Sequence, residues 1–382
     1  MNGIAYFNNA ATTFPKPEEV YSFMDQFYRE SGFNIGRGLG NPGTKLTQDT
    51  RELLLELFHC PAKKVVFTST ATEAINIILQ GLPVKDDYNI YISPFEHNAV
   101  IRVLYFLRQT FKLNLFTLSV SKRELTYDIE KIKYQFAEYK PDLVVITHAS
   151  NVCGVVAPIK DICNLSHQYG AVNVIDMCQT AGLIDTDLSS RIFDFVVFTG
   201  HKTLYAAFGV AGFICNGDIK PRPLIYGGTG IDSASRNVPD TIPERYEVGS
   251  RNILAIASLY AALKWIKKTG INTILEKEKE NRTRLLSILR EYDNIKIIVP
   301  SDDIDTIGVV SCTFKGYSSD NIGQVLSEMG IEVRTGLHCA PDAHKFLGTF
   351  PAGTVRFSVG YFNSDDDFVK LRHALDYIYE NS

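Results

Sequence analysis

Lys202 closes the stretch Thr199-Gly200-His201-Lys202, directly after the apolar run Phe193-Asp194-Phe195-Val196-Val197-Phe198. Twenty-six residues earlier, the run Ala171-Val172-Asn173-Val174-Ile175 ends in Asp176. A lysine at the end of an apolar strand needs a partner, and burial lowers its pKa towards reactivity. An aspartate ending the preceding strand can hold a proton on a heterocyclic nitrogen. The two together suit pyridoxal 5'-phosphate (PLP). Lys202 would form the Schiff base, and Asp176 would keep the pyridine nitrogen protonated, which makes the ring an electron sink.

Other residues fit the same chemistry. Ser69-Thr70-Ala71-Thr72-Glu73 joins a strand to a helix, and the free amides of a helix start, at Ala71 and Thr72, can hold a phosphate. The same pattern also describes an ordinary threonine-capped helix. His97 opens a helix, where its imidazole can stack on a planar ring. Asn151, after a strand, can donate to a carboxylate or to a phenolate. Gln179 follows Asp176 by three residues, so one reaches a ring nitrogen and the other a ring oxygen. In Arg334-Thr335-Gly336-Leu337-His338-Cys339-Ala340-Pro341, cationic neighbours favour a reactive thiolate in a mobile loop. A metal patch of His338, Cys339 and His344 lacks a fourth ligand of matching spacing. Arg356, at a strand start, is a bidentate partner for a carboxylate.

These residues need a scaffold that brings strand ends together. Apolar runs at 64–68, 88–92, 113–118, 143–147, 171–176, 193–199 and 210–215 alternate with helical patterns at 71–80, 97–109, 128–138 and 160–169. That alternation predicts an α/β chain with a mostly parallel sheet covered on both faces, and ligands bound beyond the carboxyl ends of its strands. Residues 217–252 read as a long irregular segment around Gly227-Gly228-Thr229-Gly230. Two long helices at 253–268 and 271–292 follow. The remainder reads as a smaller α/β unit, with strands at 295–299, 308–314, 331–334 and 355–359 and helices at 319–329 and 365–379.

Composition agrees with a large-cored cytoplasmic enzyme. The 382 residues are 45% apolar and 21% charged, with a net charge of −4. That charge gives no case for nucleic acid, no apolar run suits a membrane span, and no signal peptide is expected. The seven cysteines are odd in number and widely spaced, which argues against a disulfide framework and for six small core residues beside a distinct Cys339.

Taken together, the chain resembles the class V aminotransferase group of fold-type I PLP enzymes, and within it the cysteine desulfurase and selenocysteine lyase family. Phe7-Asn8-Asn9-Ala10-Ala11-Thr12-Thr13 is similar to the family's N-terminal motif, and Thr70–Asn76 to its phosphate-binding turn. Thr199-Gly200-His201-Lys202 resembles the Schiff-base motif, in which Thr199 and His201 also hold phosphate. Glu247-Val248-Gly249-Ser250-Arg251-Asn252 resembles the segment that sends a hydroxyl, here Ser250, across a dimer interface to phosphate. Arg334–Cys339 closely resembles the persulfide-carrying motif, with a short loop of the group-II kind. Thr199 stands where serine is common, Leu337 where histidine is frequent, and Ala340–His344 is not the usual continuation.

The resemblance implies a large PLP-binding domain over 16–252 and a small domain made of 1–15 plus 253–382. It implies catalytic roles for Lys202, Cys339, His97 and Asp176. It assigns cofactor contacts to Ala71, Thr72, His97, Asp176, Gln179, Thr199, His201, Lys202 and Ser250, and substrate contacts to Asn151, Arg334 and Arg356. L-cysteine would yield L-alanine and a persulfide on Cys339, in a homodimer that passes sulfur to an acceptor protein and uses no metal. Selenocysteine lyase or another class V aminotransferase activity is the alternative, and a non-catalytic scaffold a further one.

Overall fold

A computed structural model describes residues 3–31, 41–230, 234–300 and 304–381. The chain runs β1 (Ala5–Tyr6), α1 (Glu18–Ser31), α2 (Pro42–Leu57), β2 (Lys64–Thr68), α3 (Ala71–Gly81), β3 (Asn89–Ile92), α4 (Asn98–Leu107) and β4 (Asn114–Thr117). It continues with α5 (Ile129–Glu138), β5 (Leu143–Thr147), α6 (Ile159–His167), β6 (Val172–Asp176), β7 (Phe195–Thr199) and β8 (Ala211–Cys215). The C-terminal part holds α7 (Ile253–Thr269), α8 (Ile271–Leu289), β9 (Ile295–Ile298), β10 (Val309–Phe314), α9 (Ser319–Glu328), β11 (Ile331–Glu332) and β12 (Arg334–Gly336). It ends with α10 (Pro341–Leu347), β13 (Thr354–Ser358) and α11 (Asp365–Glu380).

Seven strands form the large sheet in the order β2-β8-β7-β6-β5-β3-β4, parallel except for β8, which runs against both neighbours. Successive side chains of a strand point to opposite faces, and here both faces are apolar. Val144, Ile146, Val196 and Phe198 enter one core with α1, α2, α5, α6 and α7. Leu143, Val145, Phe195 and Val197 enter the other with α3 and α4. This double burial is why the strands read as continuous apolar runs.

The C-terminal sheet is antiparallel, β12-β13-β10-β9, and has its own core with α9, α11 and the end of α8. Packing does not change at residue 252, the boundary expected from the sequence. Helix α7 buries Ile256, Leu259, Leu263 and Ile266 in the core of the large sheet, and α8 puts Ile274 there but Leu285 and Leu289 in the small core. The expected strand at 331–334 is two strands with different partners: β11 pairs with β1 and β12 with β13. The N-terminal strand therefore stitches onto the C-terminal unit, while Ala10 lies in the core of the large sheet.

Gly212 on β8 shows how tightly the sheet is set. A Cβ there would stand 2.1 Å from the Val66 carbonyl oxygen on β2. The obstacle is backbone that two ladders hold in place, so Gly212→Ala should destabilise the chain by about 3 kcal/mol. Thermal melting of purified protein checks this, and an unchanged melting temperature would refute it.

Candidate functional site

Parallel register assembles the site. Thr147 of β5 lies beside Asp176 of β6, and Asp176 beside Val197 of β7. The carboxyl ends of β5, β6 and β7 thus open onto one cavity of about 450 Å³. Its walls include Ala71, Thr72, His97, Asn151, Asp176, Gln179, Thr199, His201 and Lys202 from the large sheet's loops. Arg334, His338 and Arg356 reach it from the C-terminal unit. Of the site residues read from the sequence, Cys339 and Ser250 do not line it. Cys339 is half-buried in the turn between β12 and α10, whereas the other six cysteines are buried. Ser250 is exposed.

Among the described residues, Asp176 and Arg356 in this cavity make no salt bridge within 4 Å. Asp176 is 6% exposed and accepts from the Cys178 amide at 2.9 Å, but among the described residues no cationic side chain lies within 4 Å of it. Arg356 is 1% exposed and donates to the Asn151 carbonyl at 3.0 Å and to Asn8 Oδ1 at 3.2 Å. Its Nε has no partner, and burial with Arg334 nearby pushes its pKa down to about 9. A guanidinium in that state favours an incoming carboxylate.

His97 caps α4, with Nδ1 accepting from the Ala99 amide at 3.0 Å. Burial, reinforced by Lys202, holds its pKa down at about 4, so the ring is neutral and Nε2 carries the proton. The His201 ring stacks on Phe208 with centroids 4.4 Å apart, and its buried Nδ1 has no partner. Gln179 Nε2 donates to the Ala10 carbonyl at 3.0 Å. Asn151 Nδ2 donates to the His338 carbonyl at 2.8 Å, which ties it to the loop of Cys339. Arg334 Nη2 stands 3.1 Å from Cys339 Sγ. Among the described residues, no group of three or more His, Cys, Asp or Glu is placed to hold a metal ion.

These residues fit PLP. The first-turn amides of Ala71 and Thr72 lack carbonyl partners within α3, and the Thr70 hydroxyl is already engaged with the Glu73 amide. An anion at that helix start, beside His201 and Thr199, has donors to meet. Asp176, without a cation of its own, suits a protonated ring nitrogen.

Sequence reasoning missed several supports. Thr12 Oγ1 and Lys16 Nζ both donate to the His201 carbonyl at 2.7 Å, and Thr13 Oγ1 donates to the Lys202 carbonyl at 2.9 Å. Burial pushes the Lys16 amine down to about 7. Glu247 accepts from the Phe67 amide at 2.7 Å and pairs with Arg51 and Arg251, anchoring the segment that carries Ser250. The N-terminal and Glu247 motifs signalled Thr12, Thr13 and Glu247, nothing signalled Lys16, and neither motif revealed the contacts.

Glu96 was also missed as a titrating group. It is fully buried, accepts from the Thr147 amide at 2.6 Å, and has its second oxygen unpartnered. Burial raises its pKa to about 8. Because this exceeds the unfolded carboxyl value, the protonated form stabilises the fold. That contribution is full below the unfolded value and is lost as pH rises through about 8. Glu96→Gln keeps the acceptor and removes the titration. Its melting temperature should fall less than that of wild type between about pH 5 and pH 9; parallel profiles would refute the assignment.

Comparison with known proteins agrees with this geometry. The family model described as Aminotransferase class-V matches residues 5–371. A probable cysteine desulfurase of Methanothermobacter thermautotrophicus is 28% identical over 97% of this chain and 94% of its own length. A cysteine desulfurase of Shigella sonnei is 29% identical over 99% and 95%. Among solved structures, the apo cysteine desulfurase of Thermococcus onnurineus superposes with a TM-score of 0.90 at 25% identity, covering 99% of this chain and 95% of its own. With the family model spanning both sheets and every strand end that lines the cavity, the chain belongs to the class-V aminotransferase family.

Proposed function

We propose that this chain is a PLP-dependent cysteine desulfurase, which converts L-cysteine to L-alanine and carries the released sulfur as a persulfide on Cys339. The observation that carries the reading is the Arg334 guanidinium 3.1 Å from the one half-exposed cysteine, beside a cavity that holds Lys202, Asp176 and Arg356. Arg334 also lines the cavity, so this contact ties Cys339 Sγ to the cavity wall. The relatives named cysteine desulfurase support the same substrate.

Bound PLP supplies an electron sink for charge developing at the substrate α-carbon. Lys202 Nζ is the amine that would hold it, and the base that would take the substrate α-proton. Asp176 would hold the proton on the cofactor's ring nitrogen. Arg356 binds the substrate carboxylate and fixes which bond faces Lys202. Cys339 Sγ attacks the substrate sulfur: an S–S bond forms as the C–S bond breaks, the β-carbon gains a proton, and the α-carbon regains the proton that Lys202 took, which gives alanine. The neutral His97 Nε2–H is a donor in the cavity wall. Ser250 completes a phosphate contact across a homodimer, consistent with its exposure in the single chain. An acceptor protein takes the sulfur from Cys339 in the cytoplasm.

Two variants test the assignment. Cys339→Ala should bind PLP with unchanged visible absorbance yet release no sulfide and no alanine from L-cysteine; activity equal to wild type would remove Cys339 from the mechanism. Asp176→Asn should keep the cofactor and lose about one to two decades in rate, the worth of a charge-assisted hydrogen bond of roughly 1.5–3 kcal/mol. Activity within about twofold of wild type would leave Asp176 as a turn-capping residue only.

A further inference from the structure

Lys202 lies outside any strand or helix, in the turn that follows β7. Its amine is placed only as well as the backbone that carries it. That backbone is held from a distant part of the chain. Three donors converge on the His201 carbonyl: the Thr12 hydroxyl at 2.7 Å, Lys16 Nζ at 2.7 Å and the Thr13 amide at 3.2 Å. The next carbonyl, of Lys202, takes the Thr13 hydroxyl at 2.9 Å and the Tyr205 amide at 2.8 Å.

Proton accounting puts Lys16 at the centre of this clamp. Each threonine hydroxyl has one proton, and each spends it on a carbonyl. Both oxygens therefore face Nζ as acceptors, Thr13 Oγ1 at 2.7 Å and Thr12 Oγ1 at 3.3 Å. With the His201 carbonyl they give Nζ three acceptors, matching the three N–H bonds of an ammonium. A neutral amine would turn its lone pair on one of them.

The side chain is unusual for a lysine. Lysines ordinarily run their charged head out to water. Lys16 turns inward, half-buried, and no carboxylate stands within 4 Å of Nζ among the described residues. Its base is fixed as well. Lys16 stands between Pro15 and Pro17, and a residue before proline is confined to extended backbone. Its amide donates to the Tyr21 hydroxyl at 3.0 Å. Tyr21 belongs to α1, which packs Phe23, Met24 and Phe27 against the core of the large sheet. The charge is thus aimed at the turn from a rigid support.

We infer that Lys16 is a positioning residue for Lys202: its ammonium gathers Thr12, Thr13 and the His201 carbonyl into one unit that fixes the backbone of the turn. The inference rests on the reading of Lys202 as the reacting amine.

Two readouts test it, both taken at about pH 6, where Lys16 carries its charge. The first is hydrogen exchange of the purified protein, followed by mass spectrometry of the segment 200–206. Lys16→Met keeps the reach of the side chain and removes its donors. Exchange in that segment should rise about fivefold or more, with the segments of β5 and β6 unchanged. The second is steady-state turnover of L-cysteine. In Lys16→Met, kcat should fall about tenfold with KM within about twofold. Thr13→Val cuts the link between Lys16 and the Lys202 carbonyl, so the double variant should lose no more than about twofold beyond Lys16→Met. Unchanged exchange or kcat in Lys16→Met, or single losses that multiply in the double variant, overturns the inference. Should Lys16→Met fail to fold, Thr13→Val alone must raise exchange in 200–206, and no rise overturns the inference equally. Wild-type protein that releases no alanine from L-cysteine counts against the desulfurase reading instead, and the exchange arm then decides on Lys16 by itself.

Discussion

A charge taken out of water without a counter-charge is among the most costly features a fold can hold. Arg356 is such a charge, and Asp176 is one of opposite sign. They come from different sheets, and neither has an ionic partner among the described residues. The rest of the architecture keeps them in place. Asp176 is fixed by parallel ladders on both sides, through Thr147 and Val197. Arg356 is fixed in the middle of β13, opposite Ser311 on one side and Arg334 on the other. Both side chains line the same cavity of about 450 Å³.

Much of this was legible in the sequence, for a definite reason. Strands buried on both faces read as unbroken apolar runs, and each strand that feeds the site ends on a polar residue: Thr147, Asp176, Thr199. Type, order and spacing therefore pointed to the carboxyl edge of the sheet. What stayed hidden depends on contacts between distant residues. The bonds from Thr12 and Thr13 to the Lys202 segment span 189 residues. The split of residues 331–336 into β11 and β12 is decided by two different partners, β1 and β13, not by local pattern. The core shared by α7 and the large sheet likewise follows from packing, which no change of composition near residue 252 announces.

Titration was the least legible level. Glu96, Lys16 and His338 sit beside ordinary sequence neighbours, and their displaced pKa values come from burial set by the tertiary fold. Neutral imidazoles at 97 and 338 make the cavity wall less cationic than its composition suggests. The cationic side chains of the wall are then Lys202, Arg334 and Arg356.

The N-terminal arm has a mechanical meaning beyond its hydrogen bonds. Tyr6 pairs in register with Glu332, two residues before Arg334 and seven before Cys339. Six and seven residues later, Thr12 and Thr13 grip the carbonyls of His201 and Lys202. One short span of chain therefore acts as a caliper, with one jaw on the strand that leads to the thiol and the other on the lysine. Lengthening that span by one residue would shift one jaw against the other while leaving every side chain in the cavity unchanged.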